Sequence, residues 1–252
     1  MKAWVFSILF FVGSSFYPVL AAMEKEPIRF ENEPELADLS QAVEELKSEK
    51  GWEPLFSEAD MKGFKRPEKT SSVDAVKGYG VVETTFEKLA SIIIDDQKGP
   101  DWIEALASAK TVAGTFPVDY VKYNHFKTPF ILNDREFLSR VRMKIDQKNK
   151  VIAYFYMPTD FSFPITRPRV RGEITRSVIL VMSHPKNPST QSIVLVEFHG
   201  DPKGNIPKWI VNWFQHSWPK DTLRGLRREA ARYAGPVHPV IQKIFDPKGS
   251  LP

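Results

Sequence analysis

Residues 201–214 read DPKGNIPKWIVNWF, and the fold turns on how this stretch is understood. Gly204 ends a link. Asn205 can cap the free amides of a helical turn, and Pro207 fits a first turn, where its missing N–H costs little. A helix over 205–234 follows. At roughly 100° per residue, Ile206, Trp209, Ile210, Trp213, Phe214 and Ser217 fall within about 140°. One face is therefore apolar and suited to lie across a sheet. Pro219 removes a backbone donor and is expected to bend the helix. Beyond it Leu223, Leu226 and Ala230 resume the stripe, while Arg224, Arg227, Arg228 and Arg232 cover the rest. Trp218 lies off the stripe and is a candidate for a membrane interface, where tryptophan is favoured.

Upstream, period-two patterning predicts six strands over 110–116, 120–126, 135–145, 151–157, 169–182 and 192–200. Turn-rich segments separate them. Before these, Leu36, Leu39, Val43 and Leu46 recur at helical spacing over 34–50. Three short strands follow over 52–57, 62–66 and 73–82. Thr84-Thr85 then opens a helix whose apolar face is Phe86, Leu89, Ala90 and Ile93. Gly99-Pro100 breaks it, and a second short helix is predicted over 102–109. The order points to an α+β domain with one antiparallel sheet and helices packed on it.

The chain has 252 residues, enough for one large domain or two small ones. Aromatic residues make up 12%, which suits a large core or an aromatic-lined cavity. The first 22 residues carry the outline of a secretory signal peptide: Lys2, an apolar run over 3–11, and small residues at Ala21-Ala22. Gly13, Ser14, Ser15 and Pro18 interrupt that run well short of the roughly 20 residues of a membrane span. Export to a bacterial periplasm or medium is the expectation. The absence of cysteine excludes disulfides, thiolate metal sites, a cysteine nucleophile and a lipoprotein anchor. The five histidines form no HxH or HExxH pair, so no metal is expected. No GxSxG, phosphate-loop or dinucleotide fingerprint occurs, and Asp160 stands without a carboxylate partner. A net charge of +4 with no basic cluster among aromatics argues against nucleic acid.

Consecutive antiparallel strands send their loops to alternate ends of the sheet. One end is polar. The other gathers Phe130, Ile131 and Leu132 with Phe161, Phe163 and Ile165, beside the start of the final helix. Apolar loop tips of this kind suggest a binding mouth.

These residues carry a family likeness. Residues 201–214 resemble the Gly-x-hydrophobic-Pro-x-Trp-hydrophobic-x-Asn-Trp opening of the last helix in the START domain (steroidogenic-acute-regulatory-related lipid transfer) family. NDREFLSRVR at 133–142, VKGYGVV at 76–82, GPDWIEAL at 99–106 and RVRGEI at 169–174 resemble further strands and turns of that family, in the same order. The resemblance covers about residues 36–235 and implies a helix-grip fold, a curved antiparallel sheet around a hydrophobic tunnel with the C-terminal helix as lid. It implies a non-enzymatic monomer over 34–245 that binds one phospholipid or sterol-like lipid, touches membranes transiently and needs no cofactor. A lead-in over 23–33 and a tail over 246–252 would flank it. An enzyme of cyclase type on the same fold is the alternative.

On this reading Ile206, Trp209, Ile210 and Trp213 face the lipid, with Tyr154 and Tyr156 from a strand. Phe130, Ile131, Leu132, Phe161 and Phe163 form the mouth. The family often sets an acidic residue deep in the tunnel opposite an arginine. Here Arg140 and Arg142 both lie near that arginine's place, which leaves open which of them faces the cavity, and an outer position for them is equally open. Lys122 stands where the acid is expected, with Glu173 or Asp119 as substitutes.

Overall fold

The computed structural model describes residues 39–246 apart from 59, 70, 72 and 129–131. The expected signal peptide and lead-in, residues 34–38 of the expected first helix and nearly all of the tail lie outside the described residues. In chain order the elements are α1 (Leu39–Lys47), β1 (Glu53–Glu58), β2 (Met61–Arg66), β3 (Ala75–Val82), α2 (Phe86–Ile94) and α3 (Gly99–Trp102). There follow β4 (Leu106–Thr115), β5 (Asp119–Phe126), β6 (Arg135–Asp146), β7 (Val151–Met157), β8 (Val170–Ser183) and β9 (Ser192–Asp201). Helices α4 (Lys208–Arg232) and α5 (Pro239–Phe245) close the chain.

The strands form one nine-stranded sheet in the order β1-β2-β3-β9-β8-β7-β6-β5-β4, with antiparallel neighbours throughout. Arg135, Glu136 and Phe137 also pair in parallel with Val170, Arg171 and Gly172, because β7 stops at Met157 and does not reach between them. This is the expected helix-grip arrangement: a curved antiparallel sheet with the C-terminal helix held against it.

Both faces of the sheet are covered. On the inner face α2, α4 and α5 pack over Val82, Val141, Ile152, Tyr154, Ile179, Val194 and Val196. On the outer face Ala42 and Leu46 of α1 cover Ala153, Phe155, Val178 and Leu195. A third cluster joins Ala113, Val121, Tyr123 and Leu138 to Phe161 and Phe163 of the β7–β8 connection. Glu136, wholly buried, ties this connection down. It accepts from Arg171 at 2.8 Å and from the Tyr123 hydroxyl at 2.8 Å.

Thr85 caps α2 as expected, its hydroxyl accepting from Lys88 N. Elsewhere tertiary pairing overrides the local pattern. No helix covers 102–109: Ala105 takes a positive φ of 62°, and from Leu106 the chain pairs with β5. Asn205 does not cap α4. Pro207 is the cap residue, and its carbonyl accepts from Ile210 N at 2.9 Å. Helix α5 was not foreseen; the His238 ring caps it by accepting from Val240 N.

The buried face of α4 is also not the apolar stripe of 206–217. Its buried residues are Val211, Gln215, Pro219, Thr222, Leu223, Gly225, Leu226, Glu229 and Ala230. Smallness decides this face. A Cβ on Gly78 would lie 2.9 Å from Pro219 Cβ, and one on Gly225 would collide with the Trp102 carbonyl. The helix sits down on β3 and α3 where side chains are smallest. Arg227 straps it further, donating to Val81 O at 2.8 Å and pairing with Asp60 at 2.6 Å.

Alanine is about 1 kcal/mol better than glycine inside a helix. Overpacking against fixed backbone costs about 1–3 kcal/mol. Gly225→Ala is therefore expected to destabilise the protein by about 1–2 kcal/mol in urea unfolding; a gain in stability would mean that the α3–α4 contact yields.

Lys77 offers a pH test. It is buried on the outer face of β3, with its ammonium 4.4 Å from the Trp52 ring centroid and donating to Ser48 O at the end of α1. Burial pulls its pKa down to about 8. Below that pH both states carry the charge and the folded state bears its desolvation in full. Between about 8 and the ordinary lysine value near 10.4 the unfolded chain holds more protons, so stability rises with pH. The stability of wild type relative to Lys77→Met should thus increase over pH 8–10, by up to about 3 kcal/mol. A flat difference in denaturant titrations would remove Lys77 as the cause.

Candidate functional site

The inner face of the sheet does not fill completely. A cavity of about 750 Å³ opens between it and helices α2, α3 and α4. Strands β5, β6, β8 and β9 supply Phe126, Phe137, Ile174, Ile179 and Phe198 to its wall. Ile93, Trp102 and Ile103 close the side formed by α2 and α3. Trp218 leans over Phe198 with ring centroids 5.3 Å apart. Trp218 is thus part of the cavity wall, where the sequence suggested a membrane interface. Gln215 donates to Gly200 O at 2.8 Å and anchors the helix above β9.

The polar residues are few. Lys122 projects from β5 with Asn124 beside it, and Tyr156 and Ser177 come from β7 and β8. Lys122 Nζ lies 2.6 Å from Asp96 Oδ1, just beyond α2. The contact is a close ion pair rather than an aligned hydrogen bond, since Asp96 Oδ1 accepts none. Burial opposes the ammonium, but neighbouring Tyr156 and Asp96 carry its pKa above the ordinary lysine value. Tyr156 itself is pushed upward by burial and stays neutral near pH 7, so Asp96 is the group that holds the charge.

Arg135 stands near the open end, 4% exposed. Its guanidinium donates to the carbonyls of Asn133, Pro202 and Lys203, with the last two at 3.1 Å. Burial lowers its pKa from the usual arginine value. Gly204, with φ of 78°, lets the chain turn past this side chain into α4.

The predicted site residues divide. Ile206 and Ile210 are half-buried and line the cavity, and Tyr156 and Leu132 line it too. Trp209 and Trp213 also border it, yet they remain 72% and 68% exposed. They form the rim of the opening rather than a sealed wall. Tyr154 points to the inner face but is fully buried in the core, its hydroxyl unpartnered.

Arg140 and Arg142 do not reach the cavity. They pair in register with Val121 and Asp119, and between them Val141 faces inward. Residues two apart on a strand share a face. Arg140 makes a two-pronged contact with Asp119 at 2.8 and 2.5 Å, and Arg142 lies 3.6 Å from the same carboxylate. Glu173 is likewise outside the cavity, its side chain 70% exposed and paired with Lys203 at 2.9 Å. Phe161 and Phe163 are not mouth residues: they pack on the outer face, with Phe163 5.3 Å from the Tyr123 ring. Phe130 and Ile131 lie outside the described residues.

Sequence reasoning missed Asp96 and Arg135. Arg135 had a signal, the Asp-Arg-Glu-Phe motif itself, whereas Asp96 reaches Lys122 only through the tertiary fold.

Comparison with known proteins fits this geometry. Rat (Rattus norvegicus) phosphatidylcholine transfer protein is 21% identical over 187 residues, covering 72% of this chain and 85% of that protein. Among solved structures, human STARD10 superposes with a TM-score of 0.69 at 17% identity, covering 80% of this chain and 82% of that one. Human StAR-related lipid transfer protein 5 gives a TM-score of 0.67 at 16% identity, covering 78% and 94%. The START domain family model matches residues 35–233, nearly all of the described sheet and helices, and the chain belongs to that family.

Proposed function

We propose that this protein binds one lipid in the inner cavity and carries it between membranes without chemical change. The observation that carries the proposal is the 750 Å³ cavity, walled mainly by aliphatic and aromatic side chains and bordered by the start of α4. Burying a methylene is worth about 0.8 kcal/mol. A long acyl chain thus offers roughly 10 kcal/mol before the losses of association. Such a wall holds a lipid by burial alone. The family supports lipid binding, and the name of the rat relative refers to lipid transfer.

The start of α4 serves as the lid. Its second half is pinned by Gly225, Pro219 and Arg227, while its first turns present Trp209, Trp213 and Phe214 to solvent. Tryptophan at a membrane interface is favourable. Contact of this rim with a bilayer would replace water around it and let the lid swing. The protein acts as a monomer, and residues 1–22 direct its export to the periplasm or medium.

Native mass spectrometry of the purified full chain, followed by lipid extraction, is the direct test. One bound lipid per chain, and transfer of labelled lipid between vesicles, is the expected result. Absence of both across envelope phospholipids and sterols would overturn the proposal. A Trp209→Ala/Trp213→Ala variant should keep its unfolding midpoint, since both rings are largely exposed. Its transfer rate should fall by about tenfold or more, as expected for losing two interface-seeking rings.

A further inference from the structure

The cavity has a second thin side, away from the rim. A surface cleft runs between α3 and α4, lined by Pro100, Glu104 and Ala105 on one side and by Asp221, Arg224 and Arg228 on the other. Glu104, Arg224 and Arg228 are exposed, so the cleft is charged and open to solvent. The residues common to its lining and to that of the inner cavity are Trp102 and Ile103. One layer of side chains therefore separates a charged cleft from an apolar cavity.

That layer is weakly held. Gly225 fixes the Trp102 backbone, but α3 is a single turn, closed by Ile103 N donating to Gly99 O at 2.9 Å. The next bond, from Leu106 N to Ile103 O, is 3.3 Å long. Ala105 takes a φ of 62°, a region that a residue with a Cβ adopts at a cost. Helix α4 adds one long contact, from Arg228 to the Asp101 carbonyl at 3.3 Å. Movement at this wall therefore falls to the Trp102 ring and to residues 103–105. Trp102 is 3% exposed, yet its Nε1 has no hydrogen-bond partner among the described residues. A buried indole N–H is normally bonded. Between an apolar cavity and a charged cleft, water is the partner that the surroundings can supply.

A lipid carrier has a use for such a passage. Withdrawing a lipid from a blind apolar pocket leaves a void, and the cost of a void grows with its volume. In free solution water can follow the lipid through the opening at Trp209 and Trp213. Against a bilayer that opening faces lipid instead. Asp221 lies more than three turns beyond Trp209, about 18 Å along the helix axis. The charges of the cleft keep it in water while the rim is seated.

Resting on the lipid-carrier reading, we infer that Trp102 and Ile103 form a second gate to the cavity. Water from the α3–α4 cleft enters through it as a lipid leaves into a bilayer, and is expelled through it as a lipid is loaded. A gate lowers a barrier and leaves the end states alone. Closing it slows loading and delivery by the same factor and leaves affinity unchanged. A wall that merely binds lipid would change affinity instead.

The chain has no cysteine, so Glu104→Cys gives a single thiol on an exposed residue at the lip of the cleft. Its mixed disulfide with glutathione puts a polar tripeptide there, with the same net charge as the carboxylate it replaces, and dithiothreitol removes it. The readout is exchange of diphenylhexatriene, a fluorescent hydrocarbon, between the full chain and vesicles. The vesicles are dioleoyl phosphatidylglycerol and dioleoyl phosphatidylethanolamine with a quencher lipid. Glutathionylation should slow delivery and loading equally, by about fivefold or more. The Kd for diphenylhexatriene, measured without vesicles, should stay within about twofold. Dithiothreitol should restore both rates. Asp221→Cys, on the other side of the cleft, should behave alike and decides if Glu104→Cys does not fold. The same adduct on Glu44→Cys, exposed on α1 at the outer face, should have no effect. Unchanged rates, equal slowing from Glu44→Cys, slowing that tracks lost vesicle binding in co-sedimentation, or slowing explained by a changed Kd overturns the inference. Failure of wild type to bind diphenylhexatriene at all would instead defeat the carrier reading beneath it.

Discussion

Helix α4 can touch the sheet only where side chains vanish. Gly78 lies under Pro219, Gly225 lies on the Trp102 backbone, and Arg227 binds Val81 O across the same seam. These contacts fix the second half of a 25-residue helix. The first half has no such seat. Gln215 and the His216–Asp74 pair at 2.9 Å hold it at one edge, and ahead of them it borders the cavity. A helix held firmly at one end and lightly at the other is a natural place for a lid, because local opening follows the distribution of buried contacts. The cavity exists for the same reason: the seat that brings α4 close at β3 leaves space under its other end.

Both faces of the sheet are buried, and this limits what the sequence could reveal. All nine strands were legible from period-two patterning and turn residues, although the start of β4 read as helix and α5 left no recognised signal. The side of each strand was not. On β6, Phe137 and Val141 face inward while Leu138 packs outward. With apolar residues on both faces, alternation no longer marks the inside. The sequence left open which of Arg140 and Arg142 faces the cavity, whereas residues two apart share a face and here it is the outer one. The apolar connection with Phe161 and Phe163 misled for the same reason, since it covers a second buried face rather than a mouth. On α4 the richer stripe stayed outward because geometry at the seam selected small residues. The Lys122–Asp96 pair joins positions 26 residues apart and had no local signature at all.

The ion pairs outside and inside the sheet differ in kind. Arg140 with Asp119 and Arg171 with Glu136 are multiply bonded, their carboxylates also held by neighbours or backbone. Such pairs repay the desolvation of both partners with several aligned bonds. Lys122 with Asp96 does not. It is one close contact at the edge of an apolar space, with Asn124 Oδ1 and Ser139 Oγ on the same sheet face left without partners. A purely structural role would be served as well by an aliphatic side chain, which would remove the desolvation altogether. On the proposed reading the wall sets affinity in proportion to buried area.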